Sequence, residues 1–355
     1  MLEIIAIVIS LFFAMNIGAS GAAASMGIAY GSGAILRPRN ALILCGIGVI
    51  LGAVIGGGEV VKTISSGIIP TSLITIKIVV IILFSATFSL FLANILGIPL
   101  STSEVTVGAV VGVGIAYRVL FVNNLLWIVL FWVIIPIIAF LIAYIFIKVL
   151  HYFHLEAKFS FQGKIITYLL IMAGFFEAFS AGMNNVANAV GPLVSAQILS
   201  VSKGTLIGGI FVALGALILG KRVLETNGKK ITSFTKIEGI LISGTGATLV
   251  IIASIFGMPV PLTQITTSSI LGIGIAKSGT NVFQQKIVKN MLMVWLISPL
   301  ISLTMSYFLV KLFIESDLYT IFVLGSLLLA TIGALSLMKA SKQERRTVHE
   351  EGGGI

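Results

Sequence analysis

Three amide side chains, Asn184, Asn185 and Asn188, stand inside one apolar run, in the stretch SAGMNNVANAVGPLV from Ser180 to Val194. A bilayer core tolerates such residues only where they line protein or a polar cavity, so they are either hydrogen-bonding glue between helices or a polar site. On a helix Asn184 and Asn188 share a face, while Asn185 points one position round. Gly182 beside them, and a helix break expected at Gly191 and Pro192, favour the site. Hydroxyls gather in two other stretches. Ser101, Thr102, Ser103, Glu104 and Thr106 follow Pro99, and Thr263, Gln264, Thr266, Thr267, Ser268 and Ser269 follow Pro259. At a helix start such hydroxyls cap free backbone N–H groups. A half-helix N-terminus within a membrane also offers unpaired N–H donors and a partial positive charge, which suit an anion. Both readings stand at this point. Two such breaks meeting from opposite sides would hold an oxyanion near the midplane, with Ser20, Gly21, Ala22 and Ala23 small enough for close backbone approach.

The elements that must position these residues are membrane helices. Of the 355 residues 58% are hydrophobic and only 10% charged, with a mean hydropathy of +1.15, which describes an all-α polytopic membrane protein. Apolar stretches fall at 2–30, 41–56, 73–96, 106–117, 121–149, 166–194, 204–220, 238–256, 264–276, 288–310 and 318–338, predicting 11 to 12 transmembrane segments. The stretches 106–117 and 264–276 are too short to cross alone and follow Gly/Pro breaks, so they read as half-helices or re-entrant segments. The first stretch ends in ASGAAAS, which offers small residues for signal cleavage, but it carries Glu3 and no basic n-region and is expected to stay.

If every stretch crosses, the 22 Lys and Arg residues divide unequally. Lys62, Lys77, Arg118, Lys203 and Lys311 fall on one side and all the others, including Arg37, Arg39, Lys221, Arg222 and the tail residues Arg345 and Arg346, on the other. The richer side is expected to be cytoplasmic, which puts the C-terminus inside and the N-terminus outside a plasma membrane. The net charge of +10 is thereby accounted for without nucleic acid as a partner.

The chain repeats itself. Gly18, Ala23 and Gly27 stand 164 residues before Gly182, Ala187 and Gly191; GAVIGGGEVVKT from Gly52 matches GALILGKRVLET from Gly215 at offset 163; and GIPLSTSEVTVGAVVGVGIA from Gly97 matches GMPVPLTQITTSSILGIGIA from Gly257 at offset 160. Five segments separate each element from its counterpart. An odd number of crossings turns the second copy over, giving the inverted-topology repeat of secondary transporters, with broken helices at the midplane. The expected divisions are a first repeat at 1–150, a polar linker at 151–165, a second repeat at 166–315, a final helix at 316–338 and a cytoplasmic tail at 339–355.

FFEAFSAGMNNVANAVGPL resembles the duplicated signature of the inorganic phosphate transporter (PiT) family, of the form GANDVANAxGP, and GIPLSTSEVTVGAVVG resembles its Gly-x-Pro-x-Ser-Thr-Thr segment. The resemblance covers nearly the whole chain and is nearest to the bacterial sulfate permease branch. It implies a secondary active transporter working by alternating access, and a homodimer. Where the signature has Asp this chain has Gly21 and Asn185, and where it commonly has His before the Gly it has Ala181. In sodium-coupled members those aspartates resemble cation ligands. A hard cation wants anionic oxygen, so their loss favours proton coupling. It also favours sulfate, a dianion that only accepts hydrogen bonds, over phosphate, which retains a proton for a carboxylate; molybdate, chromate and selenate satisfy the same chemistry.

The expected substrate-binding residues are therefore Ser20, Gly21, Ala22, Ser101, Thr102, Ser103, Asn184, Asn185, Asn188, Thr263 and Gln264. Proton coupling needs a reachable carboxylate. Glu104, at a position often His in the family, and Glu177 lie in motif segments, with Glu59 and Glu225 at other breaks; intramembrane acids commonly mark relays, although Glu104 as a paired structural carboxylate is an equal reading. Lys62 and Lys229 stand near such acids and are assigned no role. No cofactor or metal is expected beyond the coupling ion. The single Cys45 reads as a buried inert thiol, and His151, His154 and His349 have no ligand spacing, so an intramembrane enzyme finds no nucleophile or metal cluster. A phosphate symporter and a passive anion channel remain as alternatives; concentrative uptake separates the channel.

Overall fold

In the computed structural model, residues 1–96, 100–153, 163–229, 234–279 and 286–317 are described, with 319, 320, 322, 323, 325 and 326. Pro99, His154, Lys158 and Lys230, most of the expected linker and final helix, and the whole tail lie outside the described residues. Every regular element among those described is helical. Helix α1 (Leu2–Ile17) runs into a π-helical turn (Gly18–Ala22) and a short α2 (Gly27–Gly31), followed by α3 (Pro38–Gly56), α4 (Gly58–Ser66), α5 (Ile76–Leu96), α6 (Thr102–Ala116) and α7 (Val122–Tyr152). Then come α8 (Gly163–Ser195), α9 (Val201–Leu219), α10 (Lys221–Lys229), α11 (Lys236–Ile255), α12 (Leu262–Ser278) and α13 (Lys286–Phe313).

Among the described residues, seven helices are long and apolar enough to cross a membrane: α1 with its π turn, α3, α5, α7, α8, α9 and α11. The exposed side chains of α7 are apolar from Leu126 and Trp127 to Phe146. An outer face of that kind is stable against lipid, not water. The short α6 and α12 fall where half-helices were expected. The expected break at Gly191–Pro192 does not occur, because α8 continues through Pro192 to Ser195. With no water competing for backbone groups, a membrane helix carries a proline without ending.

Local signals place the helix starts. Pro38 occupies the first turn of α3 after an extended Arg37. Thr235 and Glu238 form a capping box at α11. Ser101 caps α6 by accepting from the Glu104 N–H at 3.5 Å. The equivalent N-cap of α12 is Pro261, with no side-chain bond, so the hydroxyl cap is made in one half only.

The element order recurs. Helices α3 and α9 are each 19 residues long, α4 and α10 each nine. Pro136 inside α7 and Pro299 inside α13 stand at matching positions. The packing between the copies is reciprocal as well, and glycines make it. A Cβ on Gly18 would lie 1.9 Å from the Val212 carbonyl oxygen, and one on Gly182 2.1 Å from that of Val49. Gly52 meets the Phe179 oxygen at 1.9 Å, Gly215 that of Met15 at 2.1 Å. Gly112 of α6 meets the Leu303 oxygen at 2.2 Å, Gly272 of α12 that of Phe140 at 2.4 Å. In each case the second contact is the first with the two copies exchanged, which is the signature of a two-fold relation. Backbones approach this closely only where no Cβ intervenes, and in lipid such packing replaces the hydrophobic drive.

Residues Met1–Ser306 form one compact unit and Tyr307–Ile355 a second. In the second, Lys311 pairs with Glu315 at 2.5 Å and the Thr320 hydroxyl donates to Asp317 at 2.5 Å.

Candidate functional site

The polar interior gathers around the start of α6, the middle of α8 and the break before α12. Asn184 of α8 is fully buried and has all four hydrogen-bonding positions filled. Its Nδ2 donates to the Met258 carbonyl at 2.9 Å and to Ser254 Oγ at 3.0 Å. Its Oδ1 accepts from the Val260 N–H at 3.0 Å and from Ser103 Oγ at 3.3 Å. Met258 and Val260 belong to the irregular segment between α11 and α12, whose turn is made by Gly257 at φ +69°. Trp132 of α7 holds the same segment from another side, donating Nε1–H to the Pro259 carbonyl at 2.8 Å. Asn184 is thus the template on which the break is shaped. It replaces the backbone partners that unwinding removes.

One turn on, Asn188 donates Nδ2 to Thr102 Oγ1 and Ser103 Oγ, both at 3.3 Å. The shared face of Asn184 and Asn188 is therefore the face that meets α6. Asn185 points elsewhere, towards the π turn: a Cβ on Gly21 would have Asn185 Nδ2 as its one neighbour, at 3.8 Å. The side-chain oxygens of Asn185 and Asn188 are buried without a hydrogen-bond partner. Buried acceptors without a partner carry a desolvation cost of about 1–3 kcal/mol each, and as acceptors they offer nothing to an anion.

The π turn itself is tied down through Ala22, whose carbonyl accepts from Ser25 Oγ at 2.7 Å and from Cys45 Sγ at 3.1 Å. π turns interrupt helices most often at functional sites. Cys45 is buried, as expected. Ser20 Oγ donates back to the Asn16 carbonyl at 2.8 Å.

The two acids are buried. Glu104 accepts from Ser298 Oγ at 2.5 Å and from Gln264 Nε2. Glu177, on α8, accepts from Thr266 Oγ1 at 3.1 Å. Two carboxylates from two helices therefore hold α12 within its first turns. Glu59, by contrast, is exposed and paired with Lys62 at 2.6 Å, which removes both from the interior.

The structure thus brings Thr102, Ser103, Asn184 and Asn188 together in one hydrogen-bonded group and Glu104 and Gln264, with Ser298, in a second, and sets Gly21 beside Asn185. Ser101 and Ala22 are spent on helix geometry through their oxygens, and the Ser101 hydroxyl proton stays available. Thr263 is half-buried and joins none of the hydrogen bonds among the described residues. Ser254 and Ser298 are participants that sequence reasoning missed. Each is one hydroxyl in an apolar helix, a pattern with no signal beyond the bare presence of a serine.

Chemically, the arrangement is donor-rich and neutral apart from the two acids. The first backbone N–H groups of α6 and α12 have no carbonyl one turn back, although the Glu104 N–H is taken by Ser101 Oγ and the Gln264 N–H by the Pro261 carbonyl. The hydroxyls of Ser101 and Thr102 lie at the start of α6, Asn188 Nδ2 is spent on Thr102 and Ser103, and Asn185 faces Gly21. Among the described residues no cluster of His, Cys, Asp and Glu could hold a metal ion.

Residues 17–306 match the Phosphate transporter family. The chain is 68% identical over 354 residues to the sulfate permease CysP of Bacillus subtilis (strain 168), covering all of both chains. Its fold is similar to that of a solved structure, "The sodium-dependent phosphate transporter", with a TM-score of 0.77 and 25% identity over 88% of this chain and 100% of that one.

Proposed function

This chain, a member of the phosphate transporter family and a multi-pass membrane transporter, is, we propose, the importer of sulfate across the plasma membrane, a proton-coupled secondary carrier working by alternating access. One observation carries the reading: where the family signature resembles paired aspartates, Gly21 and Asn185 lie side by side and neither bears charge. A sulfate dianion accepts hydrogen bonds and donates none, so amides, hydroxyls and half-helix N–H groups hold it without repulsion. The likeness to the Bacillus subtilis sulfate permease supports the same substrate. On this reading Ser101, Thr102, Asn185 and the first turns of α6 and α12 donate to the anion, while Asn188 holds Thr102 and Ser103 in place. Asn184 and Ser103 keep the break in shape, and Glu104 and Glu177 carry the proton. The reciprocal glycine contacts support two halves related by a two-fold axis, and the distribution of Lys and Arg supports an outside N-terminus and a cytoplasmic C-terminus.

A second reading, phosphate symport, draws on the structural neighbour. Equilibrium binding of radiolabelled sulfate to the purified protein, with phosphate in excess as competitor, separates the two: sulfate should remain bound, and its displacement would favour phosphate. The Gly21 position sharpens the test. Because a Cβ there meets only Asn185 Nδ2, at 3.8 Å, Gly21→Ala should fold and bind as the parent does. Gly21→Asp should fold equally well yet lose about tenfold or more in sulfate affinity, the ~1.4 kcal/mol scale of one like charge near the dianion. Unchanged affinity in Gly21→Asp would place the anion elsewhere.

A further inference from the structure

Glu104 and Gln264 are equivalent residues of the two copies, 160 positions apart, and they touch each other. Contact between equivalent residues occurs only on a two-fold axis, so the pair straddles the junction of the halves. Their chemistry differs by one exchange, a carboxylate in one copy and its amide in the other. In the observed arrangement Glu104 accepts at both oxygens, from Gln264 Nε2 and from Ser298 Oγ at 2.5 Å. That is the pattern of an ionised carboxylate, which has no proton to give. A protonated Glu104 donates from one oxygen and needs an acceptor there, for which the Ser298 hydroxyl and the Gln264 amide are the two candidates. The Gln264 carbonyl supplies one when its amide turns over, and the turn carries the NH2 group away from Glu104.

We propose that Gln264 transmits protonation of Glu104 to the anion site. With Glu104 ionised the Gln264 amide is held by the carboxylate. When a proton arrives from water on a Glu104 oxygen, the Gln264 carbonyl accepts the new O–H, and the freed NH2 donates to the anion at the first turn of α12. Loss of the negative charge acts in the same direction. Linkage is reciprocal, so bound sulfate retains the proton as firmly as the proton retains sulfate. The inference rests on the reading of the chain as a proton-coupled anion transporter.

Other charged groups do not supply the effect. On the helices packed around Glu104, the described ionisable side chains are Lys77 at the exposed start of α5, Lys164 and Tyr168 near the start of α8, Glu177 bonded to Thr266, and Lys277, which pairs with Glu238. On α13, Lys286 and Lys289 precede Ser298, and Tyr307 and Lys311 follow it, each by more than two turns. Among the described residues none forms an ion pair with Glu104.

The test is sulfate affinity of the full-length purified protein at mildly acid and mildly alkaline pH, with thermal unfolding as a control for folding. The parent should bind about tenfold more tightly in acid. Glu104→Gln should bind equally at both. Gln264→Leu should keep only the part of the acid tightening that charge loss alone supplies, with a ratio well below the parent's, and Gln264→Met is the second variant should leucine disturb folding. Ser298→Ala should retain the pH dependence. The decisive variant is the exchange Glu104→Gln with Gln264→Glu, which restores a carboxylate–amide pair on the axis and should restore the pH dependence that Glu104→Gln lost. A Gln264→Leu or Gln264→Met protein with the parent's ratio overturns the proposal, as does a folded exchange variant with none. Absence of sulfate binding by the parent at either pH would instead overturn the substrate reading.

Discussion

Asn184→Leu is expected to abolish sulfate binding while the helices remain assembled. Leucine matches the amide in size and keeps α8 intact, but it removes all four bonds that Asn184 makes to Ser103, Ser254, Met258 and Val260. The Val260 N–H and Met258 carbonyl would then be buried without partners, at about 1–3 kcal/mol each, and the segment before α12 would have to rearrange to satisfy them. The first turn of α12 moves with it, and with that turn go its donors. Asn184→Asp should be nearly as damaging, since a carboxylate presents an acceptor to the Met258 carbonyl. Asn188→Leu removes only two long bonds at 3.3 Å and should weaken binding less. Hydrogen exchange at 257–265 together with sulfate binding reports both effects. Tight binding by Asn184→Leu would show that the break holds its shape without its template.

Gly52→Val and Gly215→Val should each prevent assembly. A Cβ at either position falls about 2 Å from a backbone carbonyl oxygen, of Phe179 and Met15 respectively, so no rotamer change relieves the clash. The helices must separate, and in lipid separation forfeits the packing that holds them. A cost of at least about 3 kcal/mol follows, at the upper end of overpacking effects because backbone meets backbone. Because the two contacts are equivalent under exchange of the copies, the two variants should fail to similar extents, measured as the fraction of monodisperse protein after extraction. Gly244→Val, where a Cβ meets no atom within 4 Å, is the control and should behave as the parent. Failure of one glycine variant with full tolerance of the other would contradict the reciprocal packing.

Much of this was legible in the chain because membrane segments punish polar residues that lack a use. Asn184, Asn188, Ser103 and Glu104 stood out against apolar neighbours, and the structure joins the first three to one another and Glu104 to Gln264. The repeat was legible because glycines at close helix crossings cannot be replaced, so Gly18, Gly52, Gly182 and Gly215 kept their register. What the sequence concealed is pairing. Whether Asn184 serves the anion or the backbone depends on where the Met258–Val260 segment runs, and spacing along one helix carries no information about that. Gln264 was expected to face the anion, yet in this structure its amide meets Glu104. The proline at position 192 misled for a physical reason as well, since a rule learned where water competes for backbone groups is weaker in lipid.

No carboxylate stands at Gly21 or Asn185, where the aspartates of sodium-coupled members resemble cation ligands, so coupling to protons rather than sodium, and sulfate rather than phosphate, are the expected properties. Uptake of radiolabelled sulfate into proteoliposomes tests this most directly, with an imposed proton gradient, an imposed sodium gradient or neither, and with excess phosphate as competitor. Accumulation driven by the proton gradient alone and unaffected by phosphate is the predicted result. Accumulation driven by sodium, displacement by phosphate, or equilibration without concentration under every gradient would contradict it.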